Sequence, residues 1–349
     1  MSVDDRVELV LRGSEEVVTR EELQGLLEVR ANPRAYVGLE PSGLLHLGTG
    51  FIVASKVSDL VRAGFHTIIF LADWHAYIND KLGGDLTAIR ACGEYFKDGF
   101  RALGVPPEVE FLYANEFVSN PEYWKRVLEV SKASSVARIR RALTVMGRNE
   151  KDADLDASKL VYPAMQVADI RWMDLDLAYG GMDQRHAHML YRDLAPKLGW
   201  KRVIALHTPL VPGLQGGGRM DPVDAKMSKS KPDSGIFLND SSEDVDRKLA
   251  KAYCPPKETK DNPVIEISRM ILFPRRGSIE VPREAKFGGD VVYTSYRELS
   301  AAYARAELHP QDLKRAVAAG LNRELEPVRR YFETHPDSLE ALRTALRGH

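Results

Sequence analysis

The sequence predicts an α/β fold: a doubly wound parallel sheet followed by a mostly helical region. Three observations predict it. Between about residues 34 and 206, short apolar runs of strand length alternate with longer stretches whose apolar residues recur every three or four positions, the pattern of βαβ units. After Asp240 that alternation stops and the pattern is mostly helical. The length of 349 residues amounts to roughly two domains at about 150 residues each.

Each element follows from its own residues. Arg34–Leu39 (RAYVGL) reads as the first strand, and Glu40-Pro41-Ser42-Gly43 as the turn that ends it. Leu47, Phe51, Ala54, Val57 and Val61 then share a helix face, which Gly64 terminates. Residues 67–72 form a buried-type strand, with Asp73 and His75 just past its carboxyl end. A helix carrying Leu86, Ile89, Phe96, Phe100 and Leu103 leads to a strand at 109–113. Residues 125–151 hold eight basic residues against two acidic ones and read as helical and amphipathic. Tyr162-Pro163 opens another helix, with proline suited to its first turn. A strand at 175–179 runs into Gly180-Gly181, a helix starts near Asp183, and a strand follows at 203–206. Residues 211–233, rich in Gly, Pro, Lys and Ser, read as a long loop, a length that is usually functional or disordered. The domain boundary is placed near 235, giving units 1–235 and 236–349. Right-handed crossovers put the ligand crevice of such a sheet at the carboxyl ends of its strands.

Composition narrows the function classes. With 44% apolar residues the chain can fill a core, so disorder is not its main state. Lys plus Arg total 49 against 50 Asp plus Glu, which excludes a wholly basic nucleic-acid coat but not a locally basic face. Cys92 and Cys254 are far apart and form no zinc spacing or disulfide framework, which suits a reducing cytosol. The charged N-terminus predicts no signal peptide, and the most apolar run, 68–72, is too short to span a bilayer.

Three stretches carry chemistry. In Pro41-Ser42-Gly43-Leu44-Leu45-His46-Leu47-Gly48-Thr49 a glycine lets backbone approach a ligand, and the following helix N-terminus attracts phosphate, to which His46 can donate. The same residues also suit a tight turn with His46 in solvent. Lys226-Met227-Ser228-Lys229-Ser230 suits a loop that folds over a polyphosphate, or a merely solvated basic loop. Tyr162, Gln166 and Asp169 fall on one helix face, which meets either water or a polar ligand.

Together, and about 180 residues apart, the first two stretches resemble the HIGH and KMSKS signatures of class I aminoacyl-tRNA synthetases. The second signature is matched throughout; in the first, Thr49 stands where the family usually has its second His. The stretch from Val161 to Ile170, VYPAMQVADI, resembles the substrate helix of archaeal and eukaryotic tyrosyl-tRNA synthetases. So do AYVGLEPSG from Ala35, LADWHAY from Leu71, GGMDQR from Gly180, KFGGD from Lys286 and LHPQD from Leu308. The resemblance spans about residues 30 to 330.

It implies a Rossmann-like catalytic domain, a dimer or acceptor-stem insertion at about 117–155, a KMSKS loop at about 212–233 and a C-terminal helical anticodon-binding domain. It also implies an enzyme that joins tyrosine to tRNA(Tyr) through tyrosyl-adenylate, with ATP as substrate and Mg²⁺ on its phosphates. By position, Tyr36 and Asp169 would bond the phenolic hydroxyl, and Tyr162, Gln166 and Gln184 the ammonium group. Gly38, Glu40, Phe70 and His75 would border the pocket. His46, Thr49, Lys226 and Lys229 would act in catalysis, and His46, Gly48, Lys226, Met227, Ser228, Lys229 and Ser230 would contact ATP. Phe287, His309 and Asp312 would meet the anticodon. The resemblance further implies a cytoplasmic homodimer without membrane contact or a protein-borne metal. Three rivals remain: a tryptophanyl-tRNA synthetase, a non-catalytic RNA-binding paralogue, and a small-molecule nucleotidylyltransferase with a related HxGH loop.

Overall fold

The computed structural model describes residues 1–146, 156–216 and 232–348. The chain divides into two compact units: Met1–Gly43 with Val53–Leu210 and Asp337–His349, and Leu44–Ile52 with Val211–Pro336.

The first unit is built on six strands: β1 (Glu16–Val18), β2 (Arg34–Leu39), β3 (His66–Leu71), β4 (Glu110–Tyr113), β5 (Leu177–Gly181) and β6 (Ile204–Thr208). Their order is β1-β6-β5-β2-β3-β4. Strands β2 to β6 are parallel, and β1 lies antiparallel along β6. Parallel strands covered on both faces need continuous apolar runs, and β3 and β6 are buried almost throughout. From β2 the chain moves first to β3 on one side and later to β5 on the other. The reversal makes the carboxyl ends of β2 and β5, at Leu39 and Gly181, the topological switch point where such sheets bind ligands.

The expected α/β architecture is therefore present, and several local features differ from the sequence reading. Strand β1 has only three residues and no alternation to reveal it; its register comes from β6, with the Glu15 amide donating to the His207 carbonyl (2.8 Å). The basic stretch is two helices, Pro121–Ala133 and Val136–Ala142, and not one. Ser134 is extended and the Ser135 side chain accepts from the Arg138 amide, so a new helix is capped where the first ends. The N-terminal helix Val3–Leu11 packs on the helix Arg20–Val29 and is tied to the helix Val53–Arg62. There the buried Lys56 ammonium donates to the carbonyls of Val10 and Arg12, and Asp59 pairs with Arg12. Burial pushes the Lys56 ammonium down to about 8. The last helix, Asp337–Arg347, packs on Leu86–Ala102, with Ser338 donating to Asp98 (2.6 Å).

In the second unit the helices Ser242–Lys251 and Pro310–Thr334 pack together. A short antiparallel pair, β7 (Ile279–Val281) and β8 (Val291–Tyr293), interrupts the helical pattern and was not foreseen. The residues are mostly helical otherwise, as expected.

A polar chain crosses the β1 edge. Arg185 donates to both oxygens of Glu16, Glu16 accepts from His207 Nδ1 (2.8 Å), and His207 Nε2 lies 3.0 Å from His188 Nδ1. A carboxylate only accepts, so His207 Nδ1 carries a proton, its Nε2 accepts, and His188 Nδ1 donates. Burial pulls both rings below the usual histidine value, His188 to about 3. An unfolded histidine takes its proton near pH 6.5, whereas folded His188 resists until about 3. Across that window the unfolded chain binds more protons, so the stability present above pH 6.5 is lost as pH falls. His188→Gln should flatten the acid side of the stability curve by up to about 1.4 kcal/mol per pH unit, measured by urea unfolding at pH 7, 6 and 5. Parallel losses in parent and variant would show that His188 does not carry the dependence.

Candidate active site

The helix Tyr162–Trp172 has no solvent face over its first nine residues, all of which are buried. Its polar stripe is therefore not a wet surface. Gln166 is 8% exposed and Asp169 1%, and buried polar groups must find partners or cost stability. The neighbouring elements supply them. From the turn after β2, Glu40 accepts from the Tyr162 hydroxyl (2.7 Å) and from the Asn79 amide (3.1 Å to each oxygen). Gln166 Nε2 donates to Gln184 Oε1 (3.1 Å), just past β5.

Asp169 lies at the centre of the network. Its Oδ1 accepts from the Tyr123 hydroxyl at 2.8 Å. Its Oδ2 lies 3.1 Å from His75 Nε2, but not in line for a hydrogen bond. Among the described residues Asp169 Oδ2, Gln166 Oε1 and both His75 nitrogens are buried polar atoms with no hydrogen bond made. Burial disfavours charging His75, while the Asp169 carboxylate, with Glu40 and Asp73 behind it, favours it; the net shift is upward. Tyr36, on β2, is buried against the same group. Burial first, and then the Asp169 charge, push its hydroxyl above the ordinary tyrosine value, against a hydrogen bond with Gln166. The aromatic wall continues from Tyr36 to Phe70 (6.4 Å between centroids), and His75 meets Phe70 and Tyr162 edge-on. A Cβ at Gly38 would touch Tyr36 and Phe70.

In the second unit, residues 45–47 pair with 236–238. The Leu47 amide donates to Ile236 (3.0 Å) and the Leu238 amide to Leu45 (2.8 Å), with His46 opposite Phe237. His46 Nδ1 accepts from the amides of Gly48 (3.1 Å) and Thr49 (3.4 Å). Those bonds assign the ring proton to Nε2, which makes it a donor. A Cβ at Gly50 would come within 2.9 Å of the Leu238 side chain, so glycine permits the close approach. The Thr49 hydroxyl is buried and makes no hydrogen bond among the described residues. Lys226, Met227, Ser228, Lys229 and Ser230 lie outside the described residues.

Further along the second unit, Arg283 stitches two of the expected recognition turns together. Its Nε donates to the Gly289 carbonyl and its guanidinium to Glu307, each at 3.0 Å, while Asp290 accepts from its amide (3.0 Å). His309 caps the helix Pro310–Thr334, its Nδ1 accepting from the Gln311 amide (3.2 Å), and its ring is exposed. Asp312, in the first turn, pairs with Arg315. The side chain of Phe287 lies outside what the structure describes.

Residues 28–326 match the tRNA synthetases class I (W and Y). A tyrosine–tRNA ligase of Saccharolobus islandicus (strain M.14.25) is 47% identical over 353 residues, 98% of each chain. The chain belongs to the tyrosine–tRNA ligase family. Two solved structures of family members resemble it over nearly their whole length. The tyrosyl-tRNA synthetase from Aeropyrum pernix is 47% identical, with a TM-score of 0.90 and 99% of each chain covered. That from Pyrococcus horikoshii, solved with L-tyrosine, is 41% identical, with a TM-score of 0.91, 99% of this chain and 100% of that chain covered.

Of the residues that the family resemblance singled out, Tyr36, Glu40, Phe70, His75, Tyr162, Gln166, Asp169 and Gln184 form one connected network in the first unit. His46, Gly48 and Thr49 belong to the second unit. The sequence reading missed Tyr123 and Asn79. Both bond across the fold, Tyr123 to a residue 46 positions away and Asn79 to one 39 positions away. Periodicity places Tyr123 on a buried helix face but carries no sign of its partner.

Proposed function

We propose that this chain attaches tyrosine to its tRNA in two steps. The tyrosine carboxylate attacks the α-phosphorus of ATP, and pyrophosphate leaves. A hydroxyl of the terminal tRNA ribose then attacks the carbonyl carbon of tyrosyl-adenylate, gives up its proton, and AMP leaves. The observation that carries the reading is the buried Asp169 oxygen with its hydrogen bond unmade, beside the Tyr36 hydroxyl. A phenol donates to one and accepts from the other, whereas an indole N–H only donates and would leave Tyr36 unmet. This difference favours tyrosine over tryptophan.

In this reading Tyr36 and Asp169 hold the phenolic hydroxyl. Tyr162, Gln166 and Gln184 hold the ammonium group, and Gly38, Glu40, Phe70 and His75 shape the surrounding wall. His46 and Thr49 donate to ATP phosphate oxygens alongside Gly48. Lys226 and Lys229 of the stretch Lys226-Met227-Ser228-Lys229-Ser230 supply two cations to charge that grows in the transition state. Mg²⁺ accompanying ATP would supply positive charge to its phosphates, a role that suits a hard cation. Phe287, His309 and Asp312 read the anticodon: rings stack on splayed bases, and a carboxylate accepts from guanine donors. Two copies associate through the 117–141 region, where Trp124, Leu128 and Val136 are exposed, and the enzyme works in the cytoplasm.

ATP–pyrophosphate exchange with tyrosine, tryptophan and phenylalanine tests the reading: only tyrosine should support fast exchange. Tryptophan as the preferred substrate, or no exchange at all, would overturn it. Asp169→Ala should cut the preference for tyrosine over phenylalanine at least tenfold, because a hydrogen bond to a charged group is worth about 1.5–3 kcal/mol.

Thr49→Ala should lower kcat of tyrosine activation, on the order of 10²-fold for a lost transition-state donor, with little change in tyrosine KM. A change confined to KM would remove Thr49 from that role. Arg283→Ala should raise KM for tRNA about tenfold by releasing the two turns it ties, the loss of one charged hydrogen-bonding group being worth about 1.5–3 kcal/mol. Pyrophosphate exchange, which needs no tRNA, should be unchanged; equal tRNA kinetics in parent and variant would count against this placement of the anticodon site.

A further inference from the structure

We infer that Tyr123 is a positioning residue for substrate selection, fixing which oxygen of Asp169 meets the substrate. The inference deepens the proposed function and rests on Asp169 reading the phenol.

An ionised carboxylate as buried as Asp169 is costly unless hydrogen bonds satisfy it. The helix Pro121–Ala133 supplies one. Tyr123 projects from it with no exposed surface, and its hydroxyl meets Asp169 Oδ1 at 2.8 Å. Its ring is fixed by Phe117 at 5.1 Å and Trp172 at 6.0 Å, so the hydroxyl has one direction available. With Oδ1 taken, Oδ2 is the oxygen left with a hydrogen bond to accept. His75, 2% exposed, stands 3.1 Å from that oxygen and adds attraction without an aligned bond. The other groups facing the carboxylate are the hydroxyls of Tyr36 and Tyr162, with Glu40 and Asp73 beyond His75. None of these donates to Oδ1, so among the described residues Tyr123 alone holds it.

Selection depends on that orientation. Asp169 Oδ2 facing a phenyl ring has no donor in a dry pocket, which penalises phenylalanine. A carboxylate free to turn finds other partners, so loosening Tyr123 should weaken discrimination before it weakens packing.

Tyr123→Phe keeps the ring and its contacts and removes only the hydroxyl. Pyrophosphate exchange with tyrosine and with phenylalanine compares it with the parent and with Asp169→Asn. The expected result has two parts. Selectivity for tyrosine falls on the order of tenfold, and the loss lies in the KM for tyrosine, with kcat nearly unchanged. The melting temperature and the KM for ATP change little. A residue that served only packing would move neither selectivity nor the KM for tyrosine. If Asp169→Asn loses selectivity and Tyr123→Phe matches the parent in both measurements, the inference is overturned and Asp169 keeps its role. If Asp169→Asn retains full selectivity, the reading of Asp169 fails and the inference fails with it.

Discussion

A helix stretch with no wet side cannot carry a polar stripe unless other elements come to meet it. The first nine residues of the helix Tyr162–Trp172 impose that constraint on the first unit. Their polar side chains, Tyr162, Gln166 and Asp169, draw in Glu40 from beyond β2, His75 from beyond β3, Tyr123 from the helix Pro121–Ala133 and Gln184 from beyond β5. Each partner has partners of its own, such as Asn79 and Tyr162 on Glu40. Among the described residues the network is satisfied nearly everywhere except at Asp169 Oδ2, Gln166 Oε1 and the two His75 nitrogens. Unmade hydrogen bonds in a buried polar network are expensive, and the proposed tyrosine site accounts for their concentration on three neighbouring residues.

The sheet explains why the network forms where it does. Strand order reverses between β2 and β5, so the connections leaving those strands diverge to opposite faces and leave a gap at their carboxyl ends. Glu40 and Gln184 lie just past those two ends. His75, Tyr123 and the polar stripe come from the helices Asp73–Ile78, Pro121–Ala133 and Tyr162–Trp172. Tyr36, within β2, points its phenol to the same place. Topology fixes the position of the site, and the side chains fix its chemistry.

The sequence was most legible where one local signal was enough. RAYVGL is strand β2 to the residue, and Tyr162-Pro163 begins the helix it was expected to begin. The other parallel strands fall within two residues of their expected starts. What escaped was of two kinds. Strands β1, β7 and β8 have three residues each, too few for a period of two to emerge, and they exist only because a neighbour offers an edge. Tyr123 and the Glu16–His207–His188 chain are contacts between positions far apart in sequence, which no periodicity encodes. The break at Ser134–Ser135 is a middle case: serine is a capping residue, but within an amphipathic stretch it also reads as one more exposed polar position.

In the second unit, the stretch that carries His46 is connected by the backbone to the run that follows the lysine-bearing segment in sequence. Residues 45–47 and 236–238 exchange amide and carbonyl bonds, and Gly50 allows Leu238 to close over the same corner. On the far side of the lysine-bearing segment, the Leu214 amide donates to the Ser234 carbonyl at 2.8 Å, and the Tyr253 amide to Leu214 at 2.7 Å. Residues 214 and 234 are thus joined, and the run that follows, 236–238, pairs with the histidine stretch. Bringing distant parts of a chain together costs entropy, and here backbone hydrogen bonds meet that cost within the fold. Positioning, in energetic terms, is a cost of this kind met before binding.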